Sequence, residues 1–364
     1  MRYRVGGKQF TKSGFDTKAQ AKAWEAAQLK RVSDDTWTDP KGGNTLFETV
    51  YLQWIIGINV SERTRSDYAE LWRSIVGPEW ASHQLRHITP SAIITWTRRI
   101  ATMYSASRVR KAFTIFNQTL DWAVSNGSIS HNPAVRAKEM SGKKGLLPTV
   151  SKTRENTYLS HEQVRELAKA SGRYSNMITI MAYTGVRFGE ATELRVKDVN
   201  LVTRRLHVRR AVSDVRGRLV VGPPKSGEAR EIPIPEFLVS ALTGIIESST
   251  RQNDLLFTTT TGAQVRYSRW RLDTFNKAVE EVGLTGIKPH SLRHTYAALA
   301  VQAGANVKVL QKAMGHSDIR LTLDTYGGLF GDDLDALAER MDAASKSTSP
   351  RNGSSLVPSR STAD

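Results

Sequence analysis

Apolar residues recur at helical spacing through much of the chain. In the stretch from Thr45 to about Val135, Phe47, Val50, Tyr51 and Trp54 fall at i, i+3, i+4 and i+7, which predicts an amphipathic helix. Breaks at Gly77-Pro78, Thr89-Pro90 and Asn126-Gly127 divide the stretch into about four helices, and Asn132-Pro133 closes the bundle. Within Ser105 to Asn126, apolar Val109, Phe113, Phe116 and Leu120 alternate with Arg108, Arg110 and Lys111. One face of that helix can pack while the other meets solvent or phosphates.

The flanks follow other patterns. Arg2 to Val5 and Gln9 to Thr11 bracket Gly6-Gly7-Lys8, a hairpin signal, and Asp16 caps a helix carrying Ala19, Ala23, Trp24 and Ala27. One hairpin and one helix bury little, so this unit is marginal alone. Asp39 to Asn44 is a linker by composition, as is the polar, basic stretch Lys138 to Asn156. Ser160-His161-Glu162-Gln163 starts a helix and opens a larger domain, in which Leu206 to Val212, Arg218 to Val221 and Arg230 to Ile234 read as short strands of a small antiparallel sheet. Near the end, Leu334, Leu337, Ala338 and Met341 again lie at i, i+3, i+4 and i+7, an apolar stripe that docks on its own domain or on a neighbouring protomer. Ser345 to Asp364 has almost nothing to bury and is expected to be disordered. The expected fold is therefore multidomain and mainly α. It comprises a hairpin and helix module over 1–40, a four-helix domain over 45–137, a mixed helical α+β domain with a small antiparallel sheet over 153–344, and a tail over 345–364.

Charge narrows the class of partner. The chain has 52 Lys and Arg against 35 Asp and Glu, a formal charge of +17, and the basic residues recur along its whole length. Such a field suits a polyanion wrapped by the protein, although a basic soluble protein with no such partner has the same composition. Cysteine is absent, which excludes disulfides, thiol nucleophiles and Cys-based zinc sites. With no signal peptide at the start and no membrane-length apolar run, a cytoplasmic protein that has no membrane partner is expected.

Five short features hold candidate chemistry: Thr184 to Glu190, Pro224-Lys225-Ser226-Gly227, His290 to Thr295, Met314-Gly315-His316-Ser317 and Thr325-Tyr326-Gly327. Singly each is ordinary. An Arg beside a Gly turn is usually solvated, a Lys in a turn is turn polarity, and a Tyr on an amphipathic segment is a core wall. Together and in this order they resemble the tyrosine recombinases of the phage-integrase type, from about Asn44 to Met341. In that family an Arg, an acidic residue, a Lys, a His-x-x-Arg, a second His or Trp, and a Tyr follow one another. The matching residues here are Arg187, Glu190, Lys225, His290, Arg293, His316 and Tyr326.

The residue types suit the chemistry that this resemblance implies. Attack on a phosphodiester builds negative charge on two non-bridging oxygens, which planar guanidiniums meet through paired hydrogen bonds, a task for Arg187 and Arg293. Tyr326 is the nucleophile. His290 either accepts its proton or hydrogen-bonds the phosphate, and Lys225 protonates the leaving 5′ oxygen. His316 donates to a phosphate oxygen, and Glu190 orients Arg187 or a neighbouring His. No metal or other cofactor is expected, since these cations supply the positive charge and no Walker sequence appears.

The resemblance implies a site-specific integrase of an actinobacterial phage or other mobile element. It would act as a homotetramer on double-stranded DNA attachment sites, with a host DNA-bending factor and an excisionase as accessory partners. Residues 1–40 resemble an arm-type DNA-binding module, the alternative being a packing module. Lys8, Lys12, Arg108, Arg110 and Lys111 are the candidate DNA contacts. The rival readings are a chromosome or plasmid resolvase of the same family, a type IB topoisomerase, and a DNA-binding protein without catalysis.

Overall fold

In the computed structural model of the chain, the residues described are 1–329 apart from 6, 35–36, 143–144 and 150–156, together with 338–339, 341–343 and 345. They group into two units, Met1–Glu155 with Ser213–Val220, and Asn156–Val212 with Val221–Asp364. Of the expected C-terminal stripe, Leu334 and Leu337 lie outside the described residues, while Ala338 and Met341 are in helical conformation; the tail after Ser345 lies outside the described residues.

The first unit opens on a hairpin, β1 (Arg2–Val5) and β2 (Lys8–Thr11), paired antiparallel with Val5 opposite Lys8. Helix α1 (Lys18–Ser33) follows, and its N-cap is Thr17, whose side chain accepts from the amide of Gln20; Asp16 is not the cap. The packed face differs from the expected one, because Ala19, Ala23 and Ala27 are exposed while Trp24 and Gln28 turn inward. The ring of Tyr3 supplies the missing core, meeting Phe10, Trp24 and Trp37 at centroid distances of 5.5, 5.3 and 6.3 Å.

The helical part contains α2 (Phe47–Gly57), α3 (Glu62–Leu71), α4 (Gly77–Trp80), α5 (Pro90–Met103), α6 (Ala106–Ser125) and α7 (Pro133–Met140). Phe47, Val50, Tyr51 and Trp54 are buried as expected, as are Val109, Phe113, Phe116 and Leu120. Thr89-Pro90 and Asn126-Gly127 do separate helices. Gly77-Pro78 does not, because a π-helical turn over Trp72–Val76 joins α3 to α4. There the amide of Gly77 bonds the carbonyl of Trp72, five residues back, and the wider turn relieves the clash that a proline ring brings to a regular helix. A Cβ at Gly77 would lie 3.0 Å from the Trp72 carbonyl oxygen and 3.1 Å from its indole, a tight contact that glycine avoids.

Two further expectations are corrected in this unit. Asn132-Pro133 opens a helix instead of closing the bundle, with Asn132 capping the amide of Ala134 and proline at the first helical position, where no amide is needed. Leu146 and Leu147 pack against the helical core, so the stretch after Lys138 is not linker throughout.

In the second unit, Ser160 and Gln163 form a reciprocal capping box at the start of α8 (His161–Ala170). Then come, in chain order, α9 (Ser175–Thr184), α10 (Phe188–Ala191), β3 (Val199–Asn200), β4 (Arg205–Val208), β5 (Ala211–Val215) and β6 (Arg218–Gly222), whose residues Ser213–Val220 group with the first unit, and β7 (Arg230–Pro233). The expected single sheet is two: β3-β4-β7, antiparallel throughout, and a separate β5-β6 pair. The expected strand Leu206 to Val212 is interrupted at Arg209 and Arg210, and its two parts join different sheets. The rest is helical, with α11 (Val239–Glu247), α12 (Tyr267–Trp270), α13 (Asn276–Glu281), α14 (Ser291–Gln302), α15 (Val307–Met314) and α16 (Ile319–Tyr326). A core of α8, α9, β4 and β7 residues, among them Val164, Leu167, Ile178, Met181, Leu206 and Ile232, also takes in Leu292 of α14. Among the described residues, no helix is long and apolar enough to cross a membrane.

Candidate active site

Five separate elements deliver the chemistry-bearing side chains to one pocket of about 280 Å³. Its lining includes Arg187, Lys225, His290, Arg293, His294, His316 and Tyr326. Helix α9 ends on Gly185, which has left-handed backbone (φ 65°), and the chain then turns so that Arg187 precedes α10. Lys225 stands in the turn between β6 and β7. His290, Arg293 and His294 lie at the start of α14, His316 follows the left-handed Gly315 that caps α15, and Tyr326 ends α16.

Glu190 organises the first arginine. It is fully buried, accepts from the Arg187 amide at 2.8 Å and from Arg187 Nη1 at 2.9 Å, and receives both Arg230 Nη1 and Nη2 at 3.0 and 2.6 Å. Burial alone would raise its pKa, but the hydrogen bonds and charge of Arg230, joined by those of Arg187, outweigh this and hold the carboxyl below its ordinary value. Arg230 is itself fixed by donating Nε to the Ala313 carbonyl at 2.8 Å. The expected orientation of Arg187 by Glu190 is thus accompanied by a second arginine that the sequence reading missed. The signal was faint, because Arg230 opens a strand and looks like any polar edge residue.

Arg293, 2% exposed, donates Nη1 to the Gly185 carbonyl at 2.6 Å and Nη2 to the Met314 carbonyl. These bonds tie α14 to the ends of α9 and α15 and fix the plane of the guanidinium. Burial first, then Arg187, pushes its pKa down to about 9, which leaves it a cation at neutral pH.

His316 is oriented by Thr322, whose Oγ1 lies 2.9 Å from Nδ1, and this leaves Nε2 for the pocket. Desolvation, then Arg293, Arg187 and Arg230, holds His316 down to about 4. His290 is held to about 4 by desolvation, then His294, Arg293, Arg187 and Lys225. Both imidazoles are therefore neutral at pH 7 in the free protein.

Tyr326 both packs in the core and lines the pocket. Its ring packs with Ala297, Leu310 and Met314, while its hydroxyl reaches the pocket. Burial pushes the phenol up to about 12, against the opposing pull of Arg293 and Arg187. The Oη lies 2.9 Å from Nδ1 of His294, a residue to which the sequence reading gave no role. His290 instead meets the His294 ring edge to face, with centroids 4.8 Å apart.

The five candidate DNA contacts lie in the first unit. Lys8, Lys12, Arg110 and Lys111 are exposed, whereas Arg108 is paired with Glu70 at 2.6 Å and Ser74 at 3.1 Å. Arg110 donates Nε to the Pro148 carbonyl at 2.9 Å. Among the described residues, no group of three or more acidic, His or Cys side chains is placed to hold a metal ion.

Comparison with known proteins agrees with this arrangement. Residues 157–329 match the phage integrase family. The integrase of Mycobacterium phage D29 is 25% identical over 333 residues, covering 87% of this chain and 86% of its own. That of Mycobacterium phage L5 is 24% identical over 358 residues, covering 94% and 93%. Among solved structures, the Tn1549 transposon integrase in complex with a circular intermediate DNA aligns with a TM-score of 0.68 at 20% identity, over 82% of this chain and 99% of that one. A lambda integrase tetramer bound to a Holliday junction aligns with a TM-score of 0.59 at 15% identity, over 90% and 93%. These two likenesses bear on the fold.

Proposed function

The chain belongs to the phage integrase family, through residues 157–329, and from that premise we propose that it is a site-specific tyrosine recombinase that integrates phage or mobile-element DNA, with Tyr326 as its nucleophile. The observation that carries this reading is one pocket holding the Tyr326 hydroxyl together with Arg187, Lys225, His290, Arg293 and His316.

A scissile phosphodiester enters with its two non-bridging oxygens toward the guanidiniums of Arg187 and Arg293, which the Glu190 pairs and the backbone carbonyls pre-orient. His316 Nε2 and His290 donate further hydrogen bonds. Tyr326 Oη attacks phosphorus and forms a 3′-phosphotyrosine, while the 5′ oxygen departs with a proton from Lys225. The covalent bond conserves the energy of the broken phosphodiester, so rejoining is the reverse reaction and needs no nucleotide.

Exchange between two duplexes calls for four active sites, and the lambda integrase of similar fold is a tetramer on a Holliday junction; we assign the same assembly on attachment-site DNA to this chain. Its place of action is the cytoplasm of a bacterial host. Exposed Lys8 and Lys12 suit the N-terminal module to a further stretch of DNA. Incubation with DNA flanking the chain's own gene tests the reading. A covalent protein–DNA adduct that persists in EDTA is expected, whereas loss of cleavage on chelation, restored by Mg²⁺, would identify a metal nuclease instead.

A further inference from the structure

Strand cleavage needs an acceptor for the phenolic proton. The groups lining the pocket can be sorted by chemistry. Arg187, Arg293 and Lys225 are cations without a free lone pair, and Ser226, Ser317 and Thr325 are hydroxyls of low basicity. His316 has Nδ1 engaged by Thr322 and, among the described residues, shares no hydrogen bond with Tyr326, and the Glu190 carboxylate is taken by two arginines. His290 and His294 remain, one turn apart on the same face of α14. Only one of them touches the reacting oxygen: His294 Nδ1 stands 2.9 Å from Tyr326 Oη, and among the described residues no hydrogen bond joins His290 to Tyr326.

Resting on the recombinase reading above, we propose that His294, not His290, is the catalytic base that takes the proton of Tyr326 during strand cleavage. His290 is then a phosphate donor. The role requires His294 neutral, with its proton on Nε2. Burial and the adjacent Arg293 favour that state, because they hold the ring below its ordinary pKa. The phenol, at about 12, is far too weak an acid to ionise beforehand. The proton therefore moves as the ester forms, when the oxygen loses its basicity.

The step balances. The Tyr326 Oη–phosphorus bond forms and the phosphorus–O5′ bond breaks; the phenolic proton passes to His294 Nδ1, and a proton of Lys225 Nζ passes to O5′. The pocket keeps its net charge, one cation having moved from Lys225 to His294. Resealing runs the same transfers backwards, so the His294 proton is stored where the tyrosine needs it.

The test uses the full chain and a nicked duplex whose 5′ fragment diffuses away after cleavage, followed as adduct formed per bound complex from pH 6 to about 8.5, below the point at which Arg293 loses its charge. The bridging 5′ oxygen is replaced by sulfur, which leaves without a proton and so removes the need for Lys225 as the acid. Arg293, pushed down to about 9, and His316 are common to every protein compared, so each profile is read as its difference from wild type below that value. His294→Asn is the informative variant, because its amide oxygen can accept the phenolic hydrogen bond but cannot take the proton. A base at His294 predicts that His294→Asn forms adduct more slowly by about 10²- to 10⁴-fold, with a rate that climbs from pH 7 to about 8.5 as the small ionised fraction of the phenol grows. The wild type is expected to be flat from pH 7 to about 8.5, and His290→Asn to keep that flat profile. His294→Asn within about threefold of wild type would overturn the inference, as would the climbing profile in His290→Asn. Absence of any adduct in the wild-type protein would defeat the recombinase reading itself, which is a different result. Should His294→Asn fail to fold, His294→Gln puts the same two outcomes to the test.

Discussion

Lys225 and Glu190 show what a single residue's type reveals and what it conceals. Lys225 was readable as a lysine in a turn between strands, and the structure places it there, lining the pocket. Its role as the acid has a direct test. Lys225→Ala should slow cleavage by about 10²- to 10⁴-fold with DNA binding nearly unchanged, and a substrate with sulfur at the bridging 5′ position should restore the rate. Arg293→Ala, which loses charge stabilisation, should stay slow with either substrate. Rescue of both variants or of neither would remove Lys225 from that role. Glu190 was readable as a partner for Arg187, but the convergence of Arg230 on it was not, since that contact joins residues 40 positions apart. His294 was equally hidden. It sits inside the His290 to Thr295 string, where only the helical geometry shows which of two histidines faces the tyrosine.

At the level of elements, apolar periodicity located α2 and α6 because those helices bury the residues that set the period. It failed where backbone geometry overrode local rules. The π turn at Trp72–Val76 carries a helix through Gly77-Pro78, and the interruption at Arg209 and Arg210 splits one expected strand between two sheets. The turn from α9 to α10 is where element geometry bears most on the site. Gly185 has φ 65°, and a Cβ there would lie 2.4 Å from Cδ1 of Tyr296, while its carbonyl anchors Arg293. Gly185→Ala should therefore cost about 2–4 kcal/mol in urea unfolding, from the positive φ and the overpacking together. Cleavage per bound complex should fall with it as Arg293 loses its alignment. A loss below about 0.5 kcal/mol would show that the turn relaxes without strain.

For the whole molecule, the excess of positive charge was legible from composition, but its concentration in a half-enclosed pocket was not. That concentration has a consequence for stability. His290 and His316 titrate at about 4 in the folded chain, below the ordinary 6.5, so between these values the unfolded chain binds more protons. Their contribution is present above about pH 6.5 and is lost as pH falls toward 4. The thermal midpoint should drop between pH 7 and pH 5, and His316→Gln should drop less over the same range. An equal drop in both proteins would mean that other groups set the slope. The central claim is covalent catalysis by Tyr326, and the most direct measurement is mass spectrometry of the protein–DNA adduct after digestion of both components. The predicted result is a nucleotide linked through its 3′ phosphate to the Tyr326 peptide, with no adduct from a Tyr326→Phe protein that still binds the same DNA. A linkage on any other residue, or an adduct that survives Tyr326→Phe, would contradict the account.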